Sequence, residues 1–229
     1  IALQEVENIG VLEALATQPA LVGYEYTPAL VDGNDSRGID VGYLVRGDRA
    51  TIEEYASLDA PNALFSRPPL MFKVTVNLDS GDQQLILLNN HFLSLSAGEA
   101  QTEPVRNNQA SWNAALVEQL AAENPQAHIM VLGDLNSFYQ TKPLYTLHDS
   151  GLRHAYEYVS DPEALPYTYI YEGTAQTLDH ILMSDDLFER LSLVEALHTN
   201  ADYPIADPAD DSPRRVSDHD PLLVQFSFE

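Results

Sequence analysis

Short apolar runs recur along this chain, and several end at once in a cluster of acid, amide and imidazole side chains. Such runs, bounded by turn signals and separated by helical stretches, favour an α/β fold with layered sheets. Residues 1–3 read as a buried strand and 9–16 as a helix. Residues 40–45 form a β-rich run, and 71–77 with 84–89 flank Asp79-Ser80-Gly81-Asp82, a turn that predicts a hairpin. The clearest helix spans 102–122, with Pro104 near its start and apolar Trp112, Ala115, Leu116 and Leu120. Residues 128–132 form a short strand running into Gly133. A second hairpin is expected from 167–171 and 177–183 around Glu172-Gly173-Thr174. Residues 200–215, acidic and proline-rich, read as a surface loop, and 222–228 as a closing strand.

At 229 residues the chain is long enough to bury one sizeable core, and it reads as one domain over 1–229. No window approaches the roughly 20 apolar residues of a membrane-spanning helix. Acidic residues number 35 against 11 basic ones, a formal net charge of -24. A polyanion therefore meets a repulsive average field, strongest at low salt. That charge fits a carboxylate-rich metal site or simply a surface adapted to salt water. There is no cysteine, which excludes a disulfide framework, a thiol nucleophile and a cysteine–zinc site. The absence is compatible with a secreted or periplasmic bacterial protein. The chain opens in what reads as a strand already under way, with no initiator Met.

Four groups of residues carry candidate chemistry: Gln4-Glu5, Asn90-His91, Gly133-Asp134-Leu135-Asn136, and Leu178-Asp179-His180 together with Ser217-Asp218-His219-Asp220. Each adjoins an apolar run, and strand ends gather side chains from distant segments around one cleft. Singly, each has an ordinary structural explanation. Glu5 fits a solvated strand end, His91 a turn, Asp134 and Asn136 a turn or helix cap, and Asp179-His180 a cross-strand polar pair.

Together, in this order, they resemble the endonuclease/exonuclease/phosphatase superfamily, the DNase I-like fold. Gln-Glu, His, Gly-Asp-x-Asn, Asp-His and a C-terminal Ser-Asp-His are its successive signatures. Ala2-Leu3-Gln4-Glu5-Val6-Glu7-Asn8, Arg37-Gly38-Ile39-Asp40-Val41 and Thr177-Leu178-Asp179-His180-Ile181-Leu182 resemble its bacterial, often extracellular, branch. The resemblance implies a four-layer sandwich: two mixed, mostly antiparallel sheets packed face to face, with helices outside. It also implies a strand carrying an Asn before Gln4, which this sequence does not contain.

The roles it implies suit phosphodiester hydrolysis, where charge must be neutralised, a water aligned and the leaving oxygen assisted. Glu5 and Asp218 match metal carboxylates, suited to Mg²⁺, with Mn²⁺ or Ca²⁺ as substitutes. Asp134 matches the residue that orients and deprotonates the attacking water, and Asn136 an amide donor beside it. His219 matches the histidine at the scissile phosphate, with Asp179 fixing its tautomer. His91 matches a second histidine there, a candidate leaving-group acid. Asp40 is a candidate partner for His91, Arg37 a phosphate contact, and Tyr167 and Tyr169 substrate contacts or cross-strand packing. His180 reads as a structural partner, and Asp220 as a metal helper or a cap. His128, His148, His154 and His198 fall in no such cluster.

The implied activity is a metal-dependent phosphodiester hydrolase, foremost a nuclease with DNA or RNA as substrate and no stable protein partner. Two alternatives stand beside it. One is a phosphodiesterase or phosphatase acting on lipid head groups or inositol phosphates. The other is a catalytically silent metal-binding module, which would have no need to keep Asp134, Asn136, Asp179 and His219 together.

Overall fold

The apolar runs at 84–89 and 128–132 become adjacent central strands because a long helix carries the chain from one to the other. In the computed structural model, which describes residues 1–161, 166–205, 207, 209, 212 and 214–228, strand β1 (Ala2–Val6) leads into helix α1 (Ile9–Ala16). Strands β2 (Tyr26–Leu30), β3 (Asp40–Arg46) and β4 (Ala50–Ser57) follow. Strands β5 (Leu70–Val76) and β6 (Gln83–His91) form the expected hairpin, and helix α2 (Glu99–Glu123) crosses to strand β7 (His128–Asp134). Helix α3 (Lys142–Asp149), strands β8 (Leu152–His154), β9 (Tyr169–Tyr171), β10 (Thr174–Gln176) and β11 (Asp179–Ser184), and the short helix α4 (Asp185–Phe188) come next. Strands β12 (Leu191–Ala196) and β13 (Leu222–Phe226) pair at the end of the chain.

The main sheet has the order β4-β5-β6-β7-β11-β8, with β6 and β7 parallel and the other neighbours antiparallel. All seven residues of β7 are buried, as expected of a central strand covered on both faces. Ile86, Leu88, Ile129 and Val131 face α2 and α3, meeting Ala110, Val117, Leu120, Leu144 and Leu147. The alternate residues Met130, Leu132, Ile181 and Met183 meet Leu222, Val224 and Phe226 of β13. Leu70, Phe72 and Val74 meet Val41 and Tyr43 of the sheet β1-β3-β2, whose outer side is covered by Leu12 of α1. Helix, sheet, sheet and helix thus stack in four layers, the DNase I-like architecture. The second sheet layer differs from expectation in being two all-antiparallel ladders, β1-β3-β2 and β12-β13, so the main sheet alone is mixed.

Two local expectations are corrected, and a third agrees with the structure where it is described. Residues 167–171 do not pair with 177–183: β9 pairs with β10, and β11 instead joins the main sheet between β7 and β8. The three-residue strands close a tight hairpin, which frees the apolar run 181–183 for the core. Helix α2 begins at Glu99, so Pro104 lies inside it; Thr102 Oγ1 holds the first turn through Gly98 O at 2.7 Å. The loop expected over 200–215 carries turns and no helix or strand at its described positions; 206, 208, 210, 211 and 213 lie outside the described residues. No helix among the described residues is long and apolar enough to cross a membrane.

Candidate active site

Three neighbouring strand ends bring His91 (β6), Asp134 (β7) and Asp179 (β11) into register side by side. The close approach depends on Gly133. Its φ is +122°, and a Cβ there would stand 2.1 Å from Asn90 O, so only glycine fits. Asp134 is buried; its Oδ1 accepts the Asn136 backbone N–H at 2.9 Å, and its Oδ2 accepts Asn136 Nδ2 at 2.9 Å. Asn136 sits at φ 45°, a left-handed conformation that asparagine tolerates, and its Nδ2 also donates to Phe92 O at 3.2 Å. Its amide, expected to face the attacking water, is therefore committed to fixing Asp134. His91 Nε2 lies 3.4 Å from Asp134 Oδ2.

His219 reaches this row from the far end of the chain. Its backbone bridges Tyr169 of β9, and Asp220 N donates to Thr168 O at 2.7 Å. His219 Nδ1 stands 2.7 Å from Asp179 Oδ2, which leaves Nε2 for the cleft that His219 lines. Asp179 is itself located by the fully buried Thr168, whose Oγ1 accepts the N–H of Asp179 at 3.3 Å. Asn200 Nδ2, likewise buried, donates to His219 O at 2.8 Å. Asp220 resolves as a loop organiser: Oδ1 accepts three backbone N–H groups, from Thr199, Asn200 and Ala201, and Oδ2 meets His198 Nδ1 at 2.8 Å.

The electrostatics separate the three titratable partners. Burial lifts Asp134 to about 7, reinforced by the adjacent Asp179 charge and opposed by His219 and the Asn136 N–H. Burial works against a charged His219, but the hydrogen bond from Asp179 and the charges of Asp179, Asp134 and Asp218 together raise it to about 9. His91 goes the other way, to about 3, through burial and the nearby positive charges of Arg67, Arg37 and His219. His91 is therefore neutral near pH 7 in the free protein.

Glu5 stands at the rim on a β-bulge between Leu3 and Val6, with φ 57° and an exposed carboxylate. Gln4 beside it donates to Asn89 Oδ1 at 2.7 Å, anchoring the bulge to the main sheet. Arg37 Nη1 lies 3.0 Å from Glu5 Oε1, and its Nε lies 3.5 Å from Asp35. Asp218 lines the same cleft, a hollow of about 600 Å³. Glu5 and Asp218 are oxygen donors at an open cleft, the chemistry that a hard divalent cation requires. Arg37 already occupies one Glu5 oxygen as a competing cation.

Two expected neighbours fall elsewhere. Asp40 is buried on β3 with Oδ1 accepting the Gly33 N–H at 3.0 Å, and it does not line the cleft. The expected Asp40–His91 pair is absent, because the carboxylate turns back onto its own loop; His91 Nδ1 has no hydrogen-bond partner among the described residues. His180, expected to be structural, is buried beneath the site. The Tyr156 N–H donates to His154 Nδ1, so His154 Nε2 carries the proton shared with His180 Nδ1 at 2.9 Å. His180 Nε2 then donates to Ser137 O at 2.7 Å, one residue past Asn136. His154, unremarkable in sequence, is thus a support for the site, and no local signal marks it. Tyr169 lines the cleft with its ring 4.7 Å from His219, whereas Tyr167 stacks on His198 at 4.3 Å and bonds Asp202. His198, Asp202 and Asp220 form a compact group with candidate ligand atoms within 4.8 Å of one another, outside the cleft lining.

A four-layer sandwich whose strand ends gather acids and imidazoles in one cleft defines a hydrolytic phosphoesterase of the DNase I-like class. The chain belongs to the Endonuclease/Exonuclease/phosphatase family, whose model matches residues 1–197. Asp218 and His219 lie past that span, and the Tyr169–His219 bridge is what ties them to the cleft. A comparison with curated proteins gives no match. Among solved structures, the chain is similar to a humanized D. rerio TDP2 bearing 14 mutations (TM-score 0.71, 19% identity, 99% of this chain and 84% of that one). It is similar also to the human Nocturnin catalytic domain with bound sulfate anion (0.66, 20%, 100% and 80%). A mannosyl-6-phosphatase from Bacteroides thetaiotaomicron resembles it comparably (0.68, 18%, 99% and 84%). At these identities the likeness establishes the fold, and the substrate is a separate matter.

Proposed function

We propose that this chain is a divalent-metal-dependent phosphodiesterase acting on nucleic acid. The observation that carries it is the His219–Asp179 pair set beside Asp134 in one cleft, with Glu5 and Asp218 also lining it. Glu5 and Asp218 would hold Mg²⁺, with Mn²⁺ or Ca²⁺ as substitutes, which supplies charge neutralisation at the phosphoryl oxygens when bound. Asp134, poised near neutrality, takes the proton of the attacking water, and Asn136 keeps its carboxylate aimed. His219 donates from Nε2 to a phosphoryl oxygen, held charged by Asp179. His91 hydrogen-bonds the leaving oxygen, which takes its proton from solvent in the open cleft as the P–O bond breaks. Arg37 contacts the phosphate, and Tyr169 packs beside it. A D. rerio TDP2 of the same fold has been solved with a single-strand DNA product, which supports a nucleic-acid substrate here.

A second reading is a phosphoesterase acting on a small substrate such as a sugar phosphate, an inositol phosphate or a lipid head group. It is favoured by the net charge of -24 and by a cleft lined by one guanidinium, that of Arg37, among the described residues. The deciding experiment is cleavage of plasmid and oligonucleotide DNA and RNA with Mg²⁺, Mn²⁺ or Ca²⁺, against EDTA and His219→Ala. Metal-dependent cleavage that disappears in the variant supports the nuclease. A folded protein that leaves nucleic acid intact yet hydrolyses small phosphoesters supports the second reading.

A further inference from the structure

One wall of the cleft is aromatic, while the charge of the cleft is wrong for a polyanion. Strand β9 sets Tyr169 and Tyr171 two residues apart, hence on one face, and both line the cleft, as does the half-buried Phe138. Tyr169 is anchored: its ring lies 4.7 Å from that of His219 at 33°, and its backbone bridges the same residue. Tyr171, one step farther along the strand, is 54% exposed. Opposite these tyrosines, β10 presents Thr174 and Gln176, and Gln176 also lines the cleft.

Glu5, Glu99, Asp134, Asp179 and Asp218 line that cleft, against the single guanidinium of Arg37, itself bonded to Glu5. Phosphates flanking the scissile one therefore gain little from the described walls. Affinity has to come from uncharged contacts, and the contact that every nucleobase offers is its π-face. A base inside a duplex has both faces covered by its neighbours. An unpaired base can be turned onto a tyrosine, whose two side-chain torsions make ordering cheap.

We propose that the β9–β10 hairpin is a base-binding platform, in which Tyr171 stacks an unpaired nucleobase adjoining the scissile phosphate and Phe138 supplies further apolar contact. The enzyme then selects single strands over duplexes. This rests on the nucleic-acid reading of the same cleft.

The test compares a single-stranded oligonucleotide, its duplex, and an abasic strand with the same phosphates and sugars, in Mg²⁺, for the wild type, Tyr171→Leu and Tyr171→Trp. In the wild type, KM for the abasic strand exceeds that for the base-bearing strand by about tenfold, the size of one lost stacking contact. The gap closes in Tyr171→Leu and reopens in Tyr171→Trp. A gap that persists in Tyr171→Leu, or a duplex cleaved as readily as the single strand, overturns the platform. If no strand is cleaved, nucleic-acid hydrolysis falls, and anisotropy of fluorescein-labelled strands in EDTA then decides the platform. Preference for base-bearing strands that depends on Tyr171 supports it, and equal binding of both strands overturns it.

Discussion

His219 Nδ1 lies 2.7 Å from Asp179 Oδ2 although the two residues are 40 positions apart. This contact joins the edge of β9, through the Tyr169–His219 bridge, to the end of β11 in the main sheet. It also supplies the charge that holds His219 protonated against its own burial.

Asp179→Asn removes that charge and lets the ring turn or change tautomer. The expected result is a fall in kcat of up to about 10⁴, the loss found when the aspartate orienting a catalytic histidine becomes asparagine. The His219 pKa, read by NMR titration, drops from about 9. A variant whose His219 still titrates near 9 would refute the role given to Asp179.

Glu5→Gln leaves one carboxylate fewer for a cation at the rim. The metal concentration giving half-maximal activity rises about tenfold or more, since one close charge pair near the surface is worth roughly 1–4 kcal/mol. Arg37→Gln shifts that concentration the opposite way, because it frees a Glu5 oxygen from a guanidinium 3.0 Å distant. Titration of activity with Mg²⁺ reads both shifts.

Gly133→Ala places a Cβ 2.1 Å from Asn90 O at a φ of +122°. Relief requires β6 and β7 to part where His91 and Asp134 pair. The expected cost is about 3 kcal/mol or more in stability, measured as a lower denaturant midpoint, with activity reduced in whatever fraction remains folded.

His154 and His180 predict an acid-labile fold. Burial first of all depresses both, His180 to about 4 and His154 well below its ordinary value, where each is used as a hydrogen-bond acceptor by a neighbouring N–H. The unfolded chain binds these protons near pH 6.5, whereas the folded chain resists them. Their stabilisation is therefore complete above about pH 6.5 and declines as pH falls toward 4, by roughly 3 kcal/mol for His180. Denaturation at pH 7.5 and 4.5 measures the slope, which should be shallower in His180→Gln. An equal slope in that variant would assign the acid sensitivity elsewhere.

Much of the candidate site is legible in the chain because its signals are local. Gly133-Asp134-Leu135-Asn136 encodes its own geometry: glycine permits the strand approach, asparagine accepts the left-handed turn, and both hold the aspartate. The apolar runs that become β6 and β7 and the long helix between them are also legible, whereas their parallel pairing is a product of the tertiary structure. Strands such as β2 are harder to read, since Pro28 argues against a strand and is tolerated because β2 lies at a sheet edge. The turn at Glu172-Gly173 is visible in sequence, but whether its second arm is 174–176 or 177–183 depends on which strand the core claims.

Sequence alone determined the residue types available for phosphoester chemistry and the apolar runs that carry them to strand ends. Tertiary structure decided which of those residues meet. It turned Asp40 back onto Gly33, left His91 neutral beside Asp134, and joined His154 to His180 beneath the site. Burial and charge at a point are sums over groups brought together from distant parts of the chain, and the path of the intervening loops sets those sums.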